Sequence, residues 1–175
     1  ALARYAFQPG TGLYTDINAI RPDETLDNTH SIYVDQWDWE KILGPDERNL
    51  QTLKDTVEAI YDVISRTEFH IASRHSNIRP LLPAHITFVT AEELCARYPD
   101  LHPRQREERI CAEHQAVFVI GIGAPLAGGQ PHDGRAPDYD DWTTPTDRGP
   151  GLNGDIIVWN HVLKCAAELT SMGIR

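Results

Sequence analysis

The chain has 175 residues, 41% of them hydrophobic and 24% charged, which is the balance of an ordinary globular protein of one-domain length. Its net charge of −10 argues against a nucleic-acid partner, because a phosphate backbone requires a surface rich in Lys and Arg. Cys95, Cys111 and Cys165 form no C-x-x-C pair, and no apolar run is long enough to span a bilayer. We therefore expect a cytoplasmic protein with free thiols and no membrane contact.

Two alternating segments near the start predict an antiparallel hairpin. Residues 13–20 and 31–39 alternate apolar and polar side chains, which is the period of a half-buried strand. The polar residues 21–30 between them predict a connecting loop. Trp37 and Trp39 share one face of the second strand, where we expect core or rim aromatic side chains.

Helices and further strands are predicted downstream. From Asp46 to Ile64, apolar residues recur every three or four positions, which predicts a helix with one buried stripe and Asp46 as its N-cap. Shorter segments predict helices over 91–98 and 104–114, and strands over 85–89, 116–122, 155–159 and 163–171. The Gly-, Pro- and Asp-rich stretch 123–153 is long for a compact domain, so we expect it to be disordered or functional.

The order of these elements predicts the fold class. Helices do not alternate regularly with strands, so we expect an α+β fold with a mainly antiparallel sheet flanked by helices. No repeat and no second domain is visible, which predicts a single domain over residues 1–175.

The end of the first predicted strand carries a candidate site residue. Arg21 stands there, followed by Pro22 and Asp23. A guanidinium held at a strand terminus presents a fixed, charged fork to a phosphate group. Taken alone, however, such an Arg-x-Asp turn is usually a surface ion pair.

Longer segments carry a more specific resemblance. They follow one another over nearly the whole chain, at residues 12–24, 30–40, 97–101, 135–142, 151–155 and 168–175. These segments resemble the ammonia-dependent asparagine synthetase family, and the Arg21 hairpin resembles motif 2 of the class II aminoacyl-tRNA synthetase core. The resemblance implies an ATP-dependent ligase that converts L-aspartate and ammonia into L-asparagine through a β-aspartyl adenylate, releasing AMP and pyrophosphate.

The resemblance also implies where the amino acid binds. Gln36 and Asp38 lie two residues apart on one strand face, and their family positions contribute to the amino-acid pocket, with Asp38 among the catalytic residues. Arg135 and Asp140 are candidates for the α-carboxylate and the α-amine of aspartate, and Ser171 is a further substrate contact.

ATP and its metal ion have their own candidate residues. Arg21 is expected at the α-phosphate, where charge develops during adenylate formation. Asp155 and Glu168 lie on paired strands, and Mg²⁺ prefers one or two carboxylates together with substrate phosphates. Arg175 follows on the second of these strands and is expected to contact the nucleotide as a catalytic residue. The base that deprotonates ammonium stays unassigned.

The family pattern extends beyond both ends of the sequence. It implies a dimer-forming motif 1 upstream and an ATP-binding motif 3 downstream, so we expect an internal portion, truncated at both ends, of a homodimeric ligase. We expect such a portion to make little or no asparagine alone.

Three alternative functions stay open. The first is a synthetase-like module that binds an amino acid or a nucleotide without catalysis. The second is the core of an aspartyl- or asparaginyl-tRNA synthetase, against which the acidic balance weighs. The third is a metal-dependent hydrolase built on His132, Asp133 and Asp138, although we expect His132 to be solvated, as loop histidines mostly are.

Overall fold

The described residues form two compact units. The computed structural model describes residues 2, 4–28, 30–135 and 140–174. Internal contacts divide the chain into a first unit, residues 1–48, and a second unit, residues 49–175. The prediction that both belong to one catalytic domain stays a prediction.

The first unit is built around the predicted hairpin. Strand β1 (Gly12–Ile20) pairs with β2 (Tyr33–Lys41) in antiparallel register. Contrary to our expectation of core or rim aromatics, the side chain of Trp37 is 81% exposed and that of Trp39 is 42% exposed. A two-stranded ribbon has two faces, and among the described residues of this unit the only further regular element is the short 3-10 turn Pro45–Glu47.

The long helix begins later than predicted. Helix α1 spans Leu50–Arg74, and its N-cap is Asn49, whose side-chain oxygen accepts a hydrogen bond from the Thr52 amide at 2.9 Å. The prediction of Asp46 as the N-cap was wrong, because Asp46 lies in a separate 3-10 turn, Pro45–Glu47. Of the predicted apolar stripe, Leu50, Leu53 and Val57 are buried, whereas Ile60 and Ile64 are half-buried. Tyr61, which was not predicted, is buried as well.

The second unit adds a mixed sheet to this helix. Its other elements are β3 (Thr87–Thr90), α2 (Ala91–Arg97), α3 (Pro103–His114), β4 (Ala116–Ile120), β5 (Pro145–Thr146), β6 (Gly149–Pro150), β7 (Asn153–Asn160) and β8 (Cys165–Gly173). The main sheet has the order β3-β4-β7-β8, in which β3 and β4 are parallel and the other two pairs are antiparallel. The predicted mixture of helices and strands is confirmed. The parallel pair is possible because α2 and α3 form the crossover that two parallel strands require.

The hydrophobic core lies between this sheet and helices α2 and α3. Strand β4 is buried along its whole length, as expected for a central strand. Leu94 of α2 and Ile110 of α3 belong to one buried cluster with Val117, Val119 and Ile157 of the sheet. Burial of this cluster fixes α3 across β7 and β8 and so gives the polar residues of these strands a rigid frame.

The described part of the stretch 121–153 is ordered by local pairing. A bridge between Pro125 and Pro131 closes one loop, and β5 pairs with β6. The segment after Asp141 runs beside the start of β7, with the Leu152 amide 2.8 Å from the Asp141 carbonyl. Among the described residues, no helix is long and apolar enough to cross a membrane.

Candidate functional site

Arg21 occupies the predicted end of a strand. It directly follows β1, and its amide donates to the Ile32 carbonyl at 2.7 Å, which extends the ladder by one residue. Its guanidinium is about half exposed and lies 3.5 Å from the carboxylate of Glu24. This exposed ion pair contributes little to stability, so it does not compete strongly with a phosphate group.

Gln36 and Asp38 share one face of the hairpin, as predicted. Gln36 lies opposite Ile17 and Asp38 lies opposite Thr15 in the β1–β2 register. Gln36 is half-buried, whereas Asp38 is exposed. The face therefore presents an amide and a carboxylate side by side, which is the pair of groups expected to contact an amino acid.

A buried ionic cluster lies in the second unit. Nη2 of Arg135 donates to Oδ2 of Asp155, and its Nε lies 3.5 Å from Oδ2 of Asp140. The side chains of Arg135, Asp140 and Asp155 are 10%, 1% and 4% exposed. Two of the predicted substrate residues and one predicted metal ligand thus lie in a single cluster.

Strands β7 and β8 place the other members of the cluster. Asp155 lies opposite Ser171, and the nearby Ser171 side chain favours the charged form of its carboxylate. The register shifts at Ile156/Ile157, so that Glu168 lies opposite Ile157 and shares the face of Asp155. Three of the predicted site residues, Asp155, Glu168 and Ser171, are therefore brought together.

Asp140 is held against the end of the sheet by a close approach. A Cβ atom added to Gly173 would overlap Oδ1 of Asp140 and would lie 3.1 Å from the Cβ of Asn153. The Asn153 amide donates to the Ile122 carbonyl at 2.7 Å. The side chain of Asn153 lies close enough to Asp140 to favour its charged carboxylate, but Asn153 makes no well-formed hydrogen bond with Asp140.

The charges of the cluster are unevenly balanced. Burial raises the pKa of Asp155 from its ordinary value of 3.8 to about 7, and the nearby charge of Glu168 adds to the effect. Arg135 and the Ser171 hydroxyl oppose this shift without cancelling it. Burial also raises the pKa of Asp140. Burial disfavours the charge of Arg135 as well, but Asp155 and Asp140 outweigh it, so that the pKa of Arg135 is raised.

Several polar atoms of the cluster have no hydrogen-bond partner among the described residues. They are buried, and they comprise Nε of Arg135, both carboxylate oxygens of Asp140, and Oδ1 of both Asn153 and Asp155. Leaving such a group unsatisfied costs about 1–3 kcal/mol, and native proteins contain few of them. Their concentration in one place indicates a site that is completed by a polar ligand.

The carboxylates fit a magnesium ion that is shared with phosphate oxygens. Within the described ranges, no group of three or more His, Cys, Asp and Glu side chains is arranged to hold a metal ion by itself. Magnesium does not require one, because one or two carboxylates and the phosphates of a nucleotide complete its shell. Oδ1 of Asp155 is an unpaired oxygen donor of the right type, and Glu168 lies on the same strand face.

Some predicted residues cannot be placed. Arg175 lies outside the described residues, and so does Asp138 of the hydrolase alternative. The expectation of a solvated His132 was wrong: its side chain is fully buried, with Nε2 at 2.9 Å from Oε1 of Glu107. Asp133, the other hydrolase candidate, is exposed.

Two residues of the site were given no role by sequence reasoning. The Asp141 carboxylate accepts hydrogen bonds from the amides and hydroxyls of both Thr143 and Thr144, at 2.6–3.1 Å. An Asp followed by hydroxyl residues two and three positions later is a recognisable turn signal. Asn153 carried no comparable signal, because its partner, the Ile122 carbonyl, is distant in sequence.

A comparison with protein families identifies the family of this chain. The family model described as aspartate-ammonia ligase matches residues 1–175, the full length of the chain. The chain belongs to this family. At the family level it is therefore a ligase of asparagine biosynthesis, with aspartate, ammonia and ATP as substrates. For this aspartate-ammonia ligase family member, the magnesium ion, the homodimer and the cytoplasmic location stay predictions.

Proposed function

We propose that this chain takes part in the ATP-dependent amidation of L-aspartate by ammonia. The observation that carries the proposal is the buried cluster of Arg135, Asp140 and Asp155, with its unsatisfied polar atoms. A small zwitterion bears both a carboxylate and an ammonium group, which complement a buried guanidinium and buried carboxylates. Family membership supports aspartate as that zwitterion.

In the amino-acid part of the site, Arg135 and Asp140 have complementary roles. Nε of Arg135 and Oδ2 of Asp140 lie 3.5 Å apart without a hydrogen bond. Nε suits the α-carboxylate of aspartate, and the carboxylate oxygens of Asp140 suit its ammonium group. A ligand that pairs these atoms removes their desolvation cost, whereas an analogue lacking one group leaves an atom unsatisfied. Such sites discriminate strongly against the incomplete analogue. Ser171 completes this part of the site, beside Asp155.

The nucleotide part uses Asp155 and Glu168. These two residues would hold Mg²⁺, which would offset the negative charge of the ATP phosphates. We assign Arg21 to the α-phosphate and Arg175 to the nucleotide, and we assign Gln36 and Asp38 to the amino acid. These roles, and a core similar to that of class II aminoacyl-tRNA synthetases, follow from the resemblance of the matched segments.

The proposed reaction has two steps. The side-chain carboxylate of aspartate attacks the α-phosphorus of ATP, and the bond to pyrophosphate breaks, giving the β-aspartyl adenylate. Ammonia then attacks the acyl carbon, and AMP leaves with the electron pair of the broken C–O bond. The positive charge of Arg21 favours the first step, because negative charge develops on the α-phosphate in its transition state. A base must take the proton from ammonium before the second step.

The test compares ligand binding with pyrophosphate release. Titration calorimetry would measure aspartate and Mg–ATP affinity for the wild-type chain and for Arg135→Met, Asp140→Asn and Asp155→Asn. A charged hydrogen bond contributes about 1.5–3 kcal/mol, so we expect the first two variants to weaken aspartate binding by about 10-fold or more. We expect Asp155→Asn to weaken Mg–ATP binding. Arg97→Gln is the matched control, because Arg97 forms an exposed ion pair with Glu113 elsewhere in the same unit.

The outcomes separate the alternatives. Aspartate affinity that does not change in Arg135→Met and Asp140→Asn would contradict the proposed site. Binding of aspartate and ATP without ammonium-dependent pyrophosphate turnover, both in this chain and in one extended at both ends, would instead favour the non-catalytic binding module. The control variant should match the wild type in every measurement.

A further inference from the structure

A second buried polar contact lies outside the cluster, three residues before Arg135. Nε2 of His132 lies 2.9 Å from Oε1 of Glu107, which stands on α3. The side chain of His132 is fully buried, and that of Glu107 is 21% exposed. Nδ1 of His132 is buried without a hydrogen-bond partner in the described part of the chain. Burying the unpaired Nδ1 of a loop histidine costs free energy, which indicates that His132 has a specific structural role.

The chain before His132 forms a closed loop. Pro125 and Pro131 form a β-bridge, and the Leu126 amide donates to the Gln130 carbonyl at 3.1 Å. The loop therefore ends at a fixed point, and His132 is the next residue. Three residue steps span at most about 10 Å, so a fixed His132 restricts where Arg135 can lie.

The helix that holds His132 also rests on the strands of the cluster. Helix α3 packs against β7 and β8, which carry Asp155 and Ser171. The bond from His132 to Glu107 thus ties the loop to the same rigid frame as Asp155. The connection runs from the helix through the loop to Arg135, and from the helix through the sheet to Asp155.

Arg135 is constrained from its other side by a glycine. A Cβ atom added to Gly123 would lie 3.1 Å from Cγ and 3.2 Å from Cβ of Arg135, so the arginine stem packs directly on the Gly123 backbone. A long arginine side chain that rotates freely loses conformational entropy when it becomes ordered. A fixed backbone and a packed stem remove part of that freedom before a ligand binds.

We propose that His132 is a positioning residue, whose bond to Glu107 holds Arg135 in the geometry that pairs it with Asp155 and Asp140. The tautomer with the proton on Nε2 donates to the Glu107 carboxylate. The hydrogen bond of His132 goes to Glu107 rather than to a cluster residue, so His132 acts through the backbone of residues 132–135. This inference deepens the proposed function, because Arg135 is the residue assigned to the substrate carboxylate.

The primary test measures Arg135 itself and needs no ligand. The Nε–H group of Arg135 is buried, so its exchange with solvent can be followed by ¹⁵N NMR, with Arg135→Lys identifying the signal. We expect His132→Leu and Glu107→Ala each to speed this exchange about 10-fold, which is the effect of losing one charged hydrogen bond. The double variant should be no worse than either single variant, because both remove the same contact. His132→Gln keeps a donor and should restore most of the protection.

Two controls separate positioning from general destabilisation. Glu113 lies on the same helix as Glu107 and forms an exposed ion pair with Arg97. Glu113→Gln removes this pair and should leave the exchange of Arg135 unchanged. Amide exchange in the buried strand β4 reports global opening. Equal acceleration of β4 amides and Arg135 in both single variants would overturn the proposal, as would an Arg135 exchange rate within about twofold of the wild type. If His132→Leu does not fold, Glu107→Ala at its partly exposed helix position gives the same test.

Aspartate binding then distinguishes the two hypotheses. If Arg135 is the substrate contact, the variants with faster exchange should bind aspartate about 10-fold more weakly. Faster exchange of Arg135 in a chain that binds no aspartate would support the positioning role of His132 and contradict the proposed function. Unchanged exchange together with normal aspartate binding would contradict only the positioning role.

Discussion

Asp155 and Glu168 share one face of the β7–β8 pair because the register between these strands shifts by one residue. Asp155 lies opposite Ser171, and regular pairing from that point would place Glu168 opposite Val158, on the other face. The shift at Ile156/Ile157 places Glu168 opposite Ile157 instead. A bulge of this kind re-aims side chains and is common beside active sites. Here it brings a second negative charge towards a buried carboxylate.

The first prediction is that Glu168→Gln lowers the pKa of Asp155. Glu168 is the second cause, after burial, of the raised pKa of Asp155, which is about 7. Once the charge of Glu168 is removed, burial alone raises the pKa of Asp155, and Arg135 and Ser171 still lower it. Titration of the Asp155 carboxyl carbon by ¹³C NMR checks this expectation. Glu113→Gln is the control, and a pKa of Asp155 that is equal in the wild type and in Glu168→Gln would contradict the prediction.

The second prediction concerns stability at neutral pH. The pKa of Asp155 is raised on folding, from 3.8 to about 7, so the folded state binds its proton more tightly than the unfolded state. The contribution of this group to the free energy of unfolding is therefore fully present below about pH 4 and is lost as the pH rises through about 7. By linkage the loss amounts to a few kcal/mol.

Asp155→Asn isolates this contribution, because the amide has the same shape and does not titrate. Urea unfolding at pH 4.5 and pH 7.5 should show a smaller fall in the free energy of unfolding for the variant than for the wild type. Asp140 also has a raised pKa and contributes to the fall in the free energy of unfolding in both proteins. The prediction therefore concerns the difference between the fall in the wild type and the fall in the variant. Equal slopes would contradict the prediction.

The hairpin shows which features the sequence predicts well. Alternation along residues 13–20 and 31–39 predicted two strands, which the structure places at Gly12–Ile20 and Tyr33–Lys41. It also placed Gln36 and Asp38 on one face, as observed. Such features depend only on neighbours within a strand. The N-cap at Asn49 was missed because the preceding Pro45–Glu47 segment forms its own turn and separates Asp46 from the helix.

The cluster shows which features the sequence does not predict. Arg135, Asp140 and Asp155 were assigned to two separate subsites, because nothing local indicates that the loop folds back onto β7. The bulge that turns Glu168 towards Asp155 depends on pairing between strands. The burial of His132 depends on Glu107, 25 residues earlier in the chain. All three are long-range relationships, whereas periodicity and turn signals describe local ones.

The third prediction concerns acid stability. Asp141 is buried, and its pKa is lowered to about 2: burial opposes the charge, but hydrogen bonds from Thr144 and Thr143 outweigh it. Because its pKa is lowered, the contribution of Asp141 to the free energy of unfolding is present above about pH 4 and is lost as the pH falls towards 2. The shift corresponds to roughly 2 kcal/mol.

Asp141→Ala should therefore destabilise the protein at pH 7 and much less at pH 2.5, where the wild-type carboxylate is also losing its charge. Urea midpoints at the two pH values check this difference. Thr144→Val removes one hydroxyl donor and should show a smaller effect in the same direction. A destabilisation by Asp141→Ala that is equal at both pH values would contradict the assigned role of the charge.

The last prediction uses the close approach between Gly173 and Asp140. A methyl group at Gly173 would overlap Oδ1 of Asp140, and the cluster is too closely packed around Asn153 to absorb the overlap without movement. Gly173→Ala should therefore displace Asp140 from Arg135 and weaken aspartate binding about 10-fold or more, the effect of one lost charged hydrogen bond. Calorimetric titration with aspartate provides the measurement.

Gly128→Ala is the matched control, because a Cβ atom there would meet nothing within 4 Å. It should bind aspartate like the wild type. Comparison of Gly173→Ala with Gly128→Ala separates a steric effect on Asp140 from the general effect of replacing a glycine. That general effect is a change in the entropy of the unfolded chain, and it occurs at both positions. Normal aspartate affinity in Gly173→Ala would mean that Asp140 can move without consequence, and it would remove Asp140 from the amino-acid site.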